Sequence, residues 1–247
     1  MFAFPARRPI NRCDILYSSL VMDETFTLTL SGVSSNLEAH YFPAIELSPH
    51  RRYALALVEL LTFHTIPNID VGCNTLQISD KTNIVFPTGS YEIASIEQFA
   101  KETESSISIK PDPVTLRCQV YCDYAIDFRP SDSIGRLLGF SPRVLQPKKT
   151  HISDFPVTIV GINAIRVECN ITGGSYINGE KAHCIHEFFP VVPPGYKIVE
   201  VPSYPIYLPI TVPSIHHLQL RLLDQDGRLV NFRGETITAR VHIKTWG

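Results

Sequence analysis

The chain has 247 residues, 44% of them hydrophobic, and carries 22 basic against 24 acidic residues. That much apolar side chain can fill a substantial core, and the near-neutral balance argues against a globally basic nucleic-acid surface. Nineteen prolines against thirteen glycines point to many strand ends and loops, not to long helices.

Residues 1–22 read as a flexible N-terminal arm ahead of a single domain over 23–247. Arg7, Arg8 and Arg12 flank Pro9, no acidic residue precedes Asp14, and no periodicity begins before Phe26. The arm has no apolar run of the kind a secretory signal needs. Phe26-Thr-Leu-Thr-Leu30 alternates and predicts the first strand, ended by Ser31-Gly32. Tyr53–Phe63 is ambiguous: its Ala and Leu suit a helix, yet it is apolar on both parities, as a fully buried strand is. Its strand-like neighbours favour a strand. It carries Glu59 and falls far short of the roughly 20 residues that span a bilayer, so no membrane segment is expected.

Leu76/Ile78 and Ile84/Phe86 are short strand candidates, and Pro87-Thr-Gly89 is a turn. A helix is predicted next, with Ser95 as its cap, Gln98 completing a capping box, and Ile96, Phe99 and Ala100 on one face. Val114–Phe128 carries the strongest pattern. Its even positions, Val114, Leu116, Cys118, Val120, Cys122, Tyr124, Ile126 and Phe128, are apolar or thiol, and its odd positions are mostly polar. This period of two predicts a strand with one buried face. Ser133–Phe140 predicts a second short helix capped by Ser133, with Gly139 at the left-handed C′ position. Gln146–Thr150 is the best place for a sub-boundary.

The second half alternates between strand and turn. Ile165, Val167, Cys169 and Ile171 share an inward face, Asn178-Gly179 marks a hairpin, and Ala182–Phe189 returns. Pro194-Gly195 suits a type II turn. Ile206–Val212, crowded by Pro205, Pro209 and Pro213, is expected at a sheet edge. His217–Leu223 turns at Asp224-Gln-Asp-Gly227 into Leu229–Phe232, and Ile237, Ala239, Val241 and Ile243 line the inner face of the last strand. About eleven to thirteen strands and two short helices result, an all-β antiparallel β-sandwich.

No catalytic signature overlies this pattern: the sequence has no G-x-S-x-G elbow, H-E-x-x-H, Walker loop or G-x-G-x-x-G. No catalytic residue, metal site or cofactor is expected. The nearest approach to a metal cluster is Cys169, His183, Cys184 and His186, but only three of these come within reach, and zinc prefers four converging ligands. Cys118 and Cys122, four apart on a strand, stand roughly 13 Å from each other. The six cysteines, irregularly spaced, read as reduced and mostly buried. Asp224–Gly227 resembles a calcium loop only superficially, His216-His217 is expected to be exposed, and Asn170-Ile171-Thr172 is taken as a chance sequon.

Five blocks in order carry a resemblance. They are Leu55–Ile69 (LALVELLTFHTIPNI), Pro87–Ile93 (PTGSYEI), Asp132–Phe140 (DSIGRLLGF), Ile185–Pro190 with Pro193–Lys197 (IHEFFP, PPGYK), and Asp224–Glu235 (DQDGRLVNFRGE). Over roughly residues 36–244 they resemble the minor capsid (penton) protein of Polinton/Maverick elements and adintoviruses. The resemblance implies a jelly-roll sandwich, a homopentamer at icosahedral vertices and a double-jelly-roll major capsid protein as partner. It implies a virion location, with assembly inside the cell and no secretion. Arg7, Arg8 and Arg12 would then form an assembly arm reaching a neighbour or weakly touching nucleic acid. The alternative is a non-catalytic jelly-roll binding module, lectin-like or host-domesticated.

Overall fold

The computed structural model describes residues 25–79, 83–159 and 161–246, so the 1–22 arm with Arg7, Arg8 and Arg12 lies outside the described residues. The described chain opens with β1 (Thr25–Gly32), β2 (Asn36–Glu46) and β3 (Arg52–Phe63). It continues through β4 (Thr75–Ile78), β5 (Ile84–Val85), helix α1 (Ile93–Thr103), β6 (Ser108–Pro111), β7 (Arg117–Tyr121), β8 (Ile126–Asp127), β9 (Val144–Leu145) and β10 (His151–Pro156). It closes with β11 (Ile165–Cys169), β12 (Ser175–Ile177), β13 (Glu180–Ala182), β14 (Cys184–Phe188), β15 (Lys197–Glu200), β16 (Leu208–Pro209), β17 (Ser214–Leu223) and β18 (Ile237–Trp246).

Eight of these strands pair in a nested order. β1 pairs with β18, β2 with β17, β3 with β15 and β11 with β14, all antiparallel. One sheet therefore runs β1-β18-β3-β15 and the other β14-β11-β17-β2. A long hairpin rolled up on itself gives this nesting, which is the jelly roll. The pattern follows from alternation. Leu28 and Leu30 stand opposite Val241 and Ala239, so apolar faces meet apolar faces and fix the register. The two inner faces join in one core through Leu30, Leu57, Val167, Leu220, Val241 and Ile243. Each fully buried side chain of this kind contributes about 1.5–3 kcal/mol.

The ambiguous Tyr53–Phe63 segment is strand β3, at the centre of its sheet. Its double parity has a local cause. The register with β18 shifts between Leu57 and Glu59, leaving Val58 as an extra residue. Leu55 and Leu57 point inward before the bulge and Leu60 after it. Ala54 and Ala56 face the other way yet are inaccessible to solvent.

Between β3 and β11 the chain builds a second core, whose seven strands β4–β10 supply most of the excess over a jelly roll's eight; the β12–β13 hairpin and β16 are the rest. Its sheets run β5-β4-β8-β9 and β10-β7-β6. Phe86, Ile96, Ile109, Val120, Ile126 and Leu138 are buried together there. Glu97 ties α1 to β6 by accepting from Ser108 Oγ at 3.2 Å and Ile109 N–H at 3.4 Å.

Three local expectations are corrected. The Val114–Phe128 strand begins only at Arg117 and breaks between Tyr121 and Ile126. Cys118, Val120, Cys122, Ile126 and Phe128 are buried as the parity requires, but Val114 and Leu116 are exposed. The Asp112 carboxylate accepts the N–H groups of Val114 and Thr115, and Leu116 takes a left-handed φ of 57°, so these residues form the β6–β7 turn. Helix α1 starts at Ile93, with Glu92 at the N-cap and no side-chain cap, so Ser95 lies inside it. Among the described residues α1 is the one α-helix, and Ser133–Phe140 is a run of turns. Its end is nonetheless the predicted one. Phe140 N–H reaches Gly135 O at 2.8 Å and Gly139 N–H reaches Arg136 O at 3.1 Å, the Schellman pair, around Gly139 at φ 81°.

Candidate functional site

Strand β15 is the outer edge of its sheet, with β3 on one side only. Directly opposed residues of an antiparallel pair share a face. Ile198 faces the core, so Lys197 and Val199 face outward, opposite Phe63 and Leu61. Val199 is 58% exposed, Val201 just beyond it 57%, and Phe63 42%. The loop that precedes β15 is pinned beside the end of β3. His64 N–H donates to Tyr196 O at 2.8 Å, Gly195 N–H to His64 O at 2.8 Å, and His64 Nδ1 to Val192 O at 2.6 Å. This loop adds exposed Phe189, Val191 and Tyr196 to the flank, and Tyr204 and Ile206 follow. Sheet edges are usually blunted by charge, proline or cover; β15 carries Lys197 and Glu200, and the exposed apolar side chains around it make a candidate contact surface.

A cleft of about 380 Å³ continues from this flank, between the jelly roll and the second core, lined by His64, Ile66, Tyr91, Ile159, Phe189 and Val192 among others. Asn68 lies in its wall, with both amide hydrogens committed: Nδ2 donates to Tyr91 O at 2.7 Å and to Ile159 O at 3.0 Å.

The residues singled out from sequence do not converge. Cys169 is buried in the jelly-roll core, and burial pushes its thiol up to about 11. His183 Nδ1 donates to Thr172 O, His186 Nε2 to Glu200 at 2.8 Å, and Cys184 Sγ to His186 O. Cys118 is pushed up to about 12 by burial, with the Glu97 charge adding. Thiols held protonated in this way are poor nucleophiles and poor metal ligands. Asp224 spends its carboxylate on the N–H groups of Asp226 and Arg228 at 2.8 and 2.9 Å, which makes it a hairpin turn. The structure instead brings together Glu38, His40 and His217, which the sequence reading never linked. The available signal was a Glu-x-His pair on one strand face and a His-His pair at the start of another; their cross-strand register is not visible in sequence.

No family model and no curated protein matches the sequence. A solved structure does match: the crystal structure of the selenomethionine-labelled mavirus penton protein. The similarity spans 91% of this chain and all of that one, with a TM-score of 0.51 and 11% sequence identity. The chain has the fold of a viral penton protein. At this identity the correspondence is one of fold, and it includes the expected jelly roll. Among the described residues no helix is long and apolar enough to cross a membrane.

Proposed function

We propose that the chain is a minor capsid protein that closes the vertices of an icosahedral particle as a homopentamer. The observation that carries this reading is the structural correspondence with the mavirus penton protein over 91% of the chain. The five sequence blocks resembling Polinton/Maverick and adintovirus pentons support it independently. The apolar β15 flank supplies a surface through which one subunit would meet the next in a ring, a heterologous contact that closes. The partner is a double-jelly-roll major capsid protein, the location is the virion, and the role is structural, not catalytic. Arg7, Arg8 and Arg12 are assigned to an assembly arm that reaches a neighbouring subunit or nucleic acid.

The apolar cleft favours a second reading, a non-catalytic binding module. A lectin-like site needs free carboxamide and hydroxyl groups, however, and the Asn68 amide hydrogens are spent on the protein's own backbone. Co-expression with a double-jelly-roll capsid protein separates the readings. The capsid reading expects closed shells with this chain at their vertices, visible by cryo-electron microscopy. Shells that never incorporate it would favour the binding module.

A further inference from the structure

The outer face of the β2–β17 ladder carries a cluster with no role in the fold's core. His40 and His217 stand directly opposite each other in the register. Their rings stack at a centroid distance of 4.5 Å and an interplanar angle of 14°. Glu38, two residues before His40, points to the same face. One ligand atom from each of the three lies within 4.8 Å of the other two.

We propose that Glu38, His40 and His217 bind a first-row divalent cation, zinc by preference, as a staple between β2 and β17. His217 Nε2 is shielded from solvent, has no hydrogen-bond partner, and stands 3.7 Å from Glu38 Oε2. That distance is too long for a hydrogen bond and only slightly longer than an intervening ion needs; the stacked rings lie nearly parallel, so one imidazole must turn out of the stack for both nitrogens to converge on the ion. In a tetrahedral site with N and O ligands at about 2.0–2.1 Å, neighbouring ligand atoms are roughly 3.3–3.4 Å apart.

The carboxylate is already aimed. Asn36 Nδ2 and Gln219 Nε2 both donate to Glu38 Oε1, at 2.5 and 2.9 Å, leaving Oε2 towards His217. Outer-shell bonds that orient a ligand in this way are typical of metal sites. The His217 backbone is held too: its carbonyl accepts from Asn170 Nδ2 at 3.1 Å, and Asn170 Oδ1 accepts the Gln219 N–H at 2.8 Å. Two imidazoles and a carboxylate form a borderline donor set that suits zinc, with the fourth position left for water. The clip has a structural purpose. β2 is an edge strand whose pairing with β17 is interrupted between Ile45 and His40, and a bound ion would pin the half of the ladder beyond that interruption. This inference does not depend on the capsid reading.

The test is isothermal titration of metal-free, full-length protein with zinc chloride, alongside His217→Ala, His40→Gln and Glu38→Gln. Circular dichroism of each metal-free variant checks the fold. The expected result is one zinc per chain, weakened at least tenfold by each substitution and unaffected by His183→Ala. Cobalt(II) in place of zinc should give visible d–d bands without thiolate charge transfer, which separates this site from the cysteines. The thermal midpoint of the unaltered chain should rise with zinc concentration. Absence of saturable binding up to about 100 µM zinc, a concentration at which any real staple would stabilise the fold, would overturn the proposal. So would binding that survives His217→Ala and His40→Gln, or a cobalt spectrum dominated by thiolate.

Discussion

The Asn68 side chain takes the place of a neighbouring strand for Tyr91: its Nδ2 donates to the Tyr91 carbonyl at 2.7 Å while its Oδ1 accepts the Tyr91 N–H at 2.8 Å. The second amide hydrogen goes to Ile159 O at 3.0 Å. One side chain therefore joins the segment leaving β3, the approach to α1 and the chain returning towards β11. Asn68→Ala leaves these backbone groups without their partner, at roughly 1–3 kcal/mol for each group that water cannot reach. Asn68→Asp is expected to be worse, because it sets a carboxylate against two carbonyl oxygens. Urea unfolding checks both; midpoints equal to that of the unaltered chain would contradict the assignment.

Val120 and Thr238 test face assignment in the two cores. Val120 is 1% exposed inside the second core, so Val120→Asp buries an unpaired charge and should prevent soluble folding. Thr238 faces outward, with its hydroxyl 3.0 Å from Ser31 Oγ, and Thr238→Asp should leave a soluble, folded monomer. Soluble yield and unfolding midpoint are the readouts, and similar behaviour of the two variants would refute the parities.

Gly139 is expected to tolerate no side chain. Its φ is 81°, and a Cβ there would stand 2.2 Å from the Phe155 carbonyl oxygen, a backbone atom that cannot step aside alone. Gly139→Ala should destabilise by more than about 1 kcal/mol, the scale for a strained left-handed position before the clash is counted. Thermal unfolding measures it. Gly179→Ala, at φ 88° with open space around it, should cost less.

The buried thiols give a pH dependence. Cys118 is pushed up to about 12 and Cys169 to about 11, in both cases first by burial. An unfolded cysteine ionises at about 8.5. Above that pH the unfolded chain releases protons that the folded chain keeps, so the unfolded state binds fewer protons and stability falls as pH rises. Stability from this source is fully present below pH of about 8.5 and is lost progressively towards the folded values. Denaturation midpoints at neutral and alkaline pH should show the decline, and Cys118→Ser with Cys169→Ser should flatten it. At mildly alkaline pH an alkylating reagent should label partly accessible Cys73 ahead of Cys118 and Cys169, and equal rates would contradict the burial.

Legibility in the sequence followed the range of the interaction. The last strand's inward Ile237, Ala239, Val241 and Ile243 could be read directly, because alternation is a local consequence of strand geometry. The Asn178-Gly179 hairpin was equally local, with both residues at positive φ. Val114 and Leu116 misled because the turn that exposes them is set by Asp112, whose side chain captures their neighbourhood's N–H groups before the ladder can. Ser133–Phe140 carries a helix's capping signals on about two turns of chain, too little to distinguish a helix from a terminal motif. The second core was hidden because its strands alternate as the jelly roll's do, and only pairing assigns them. The β15 flank was invisible for the same reason: Val199 and Val201 look like core residues until Ile198 takes the inward face. Glu38, His40 and His217 meet only through register.

The measurement that tests the central claim most directly is native mass spectrometry of the full-length protein over a range of concentrations, compared with Val199→Asp/Val201→Asp. Both substituted side chains are more than half exposed, so the variant should fold normally. The capsid-vertex account predicts a five-chain species for the unaltered protein that grows with concentration, and a monomer for the variant. An unaltered chain that stays monomeric at every concentration, or a five-chain species that the variant forms equally well, would contradict it.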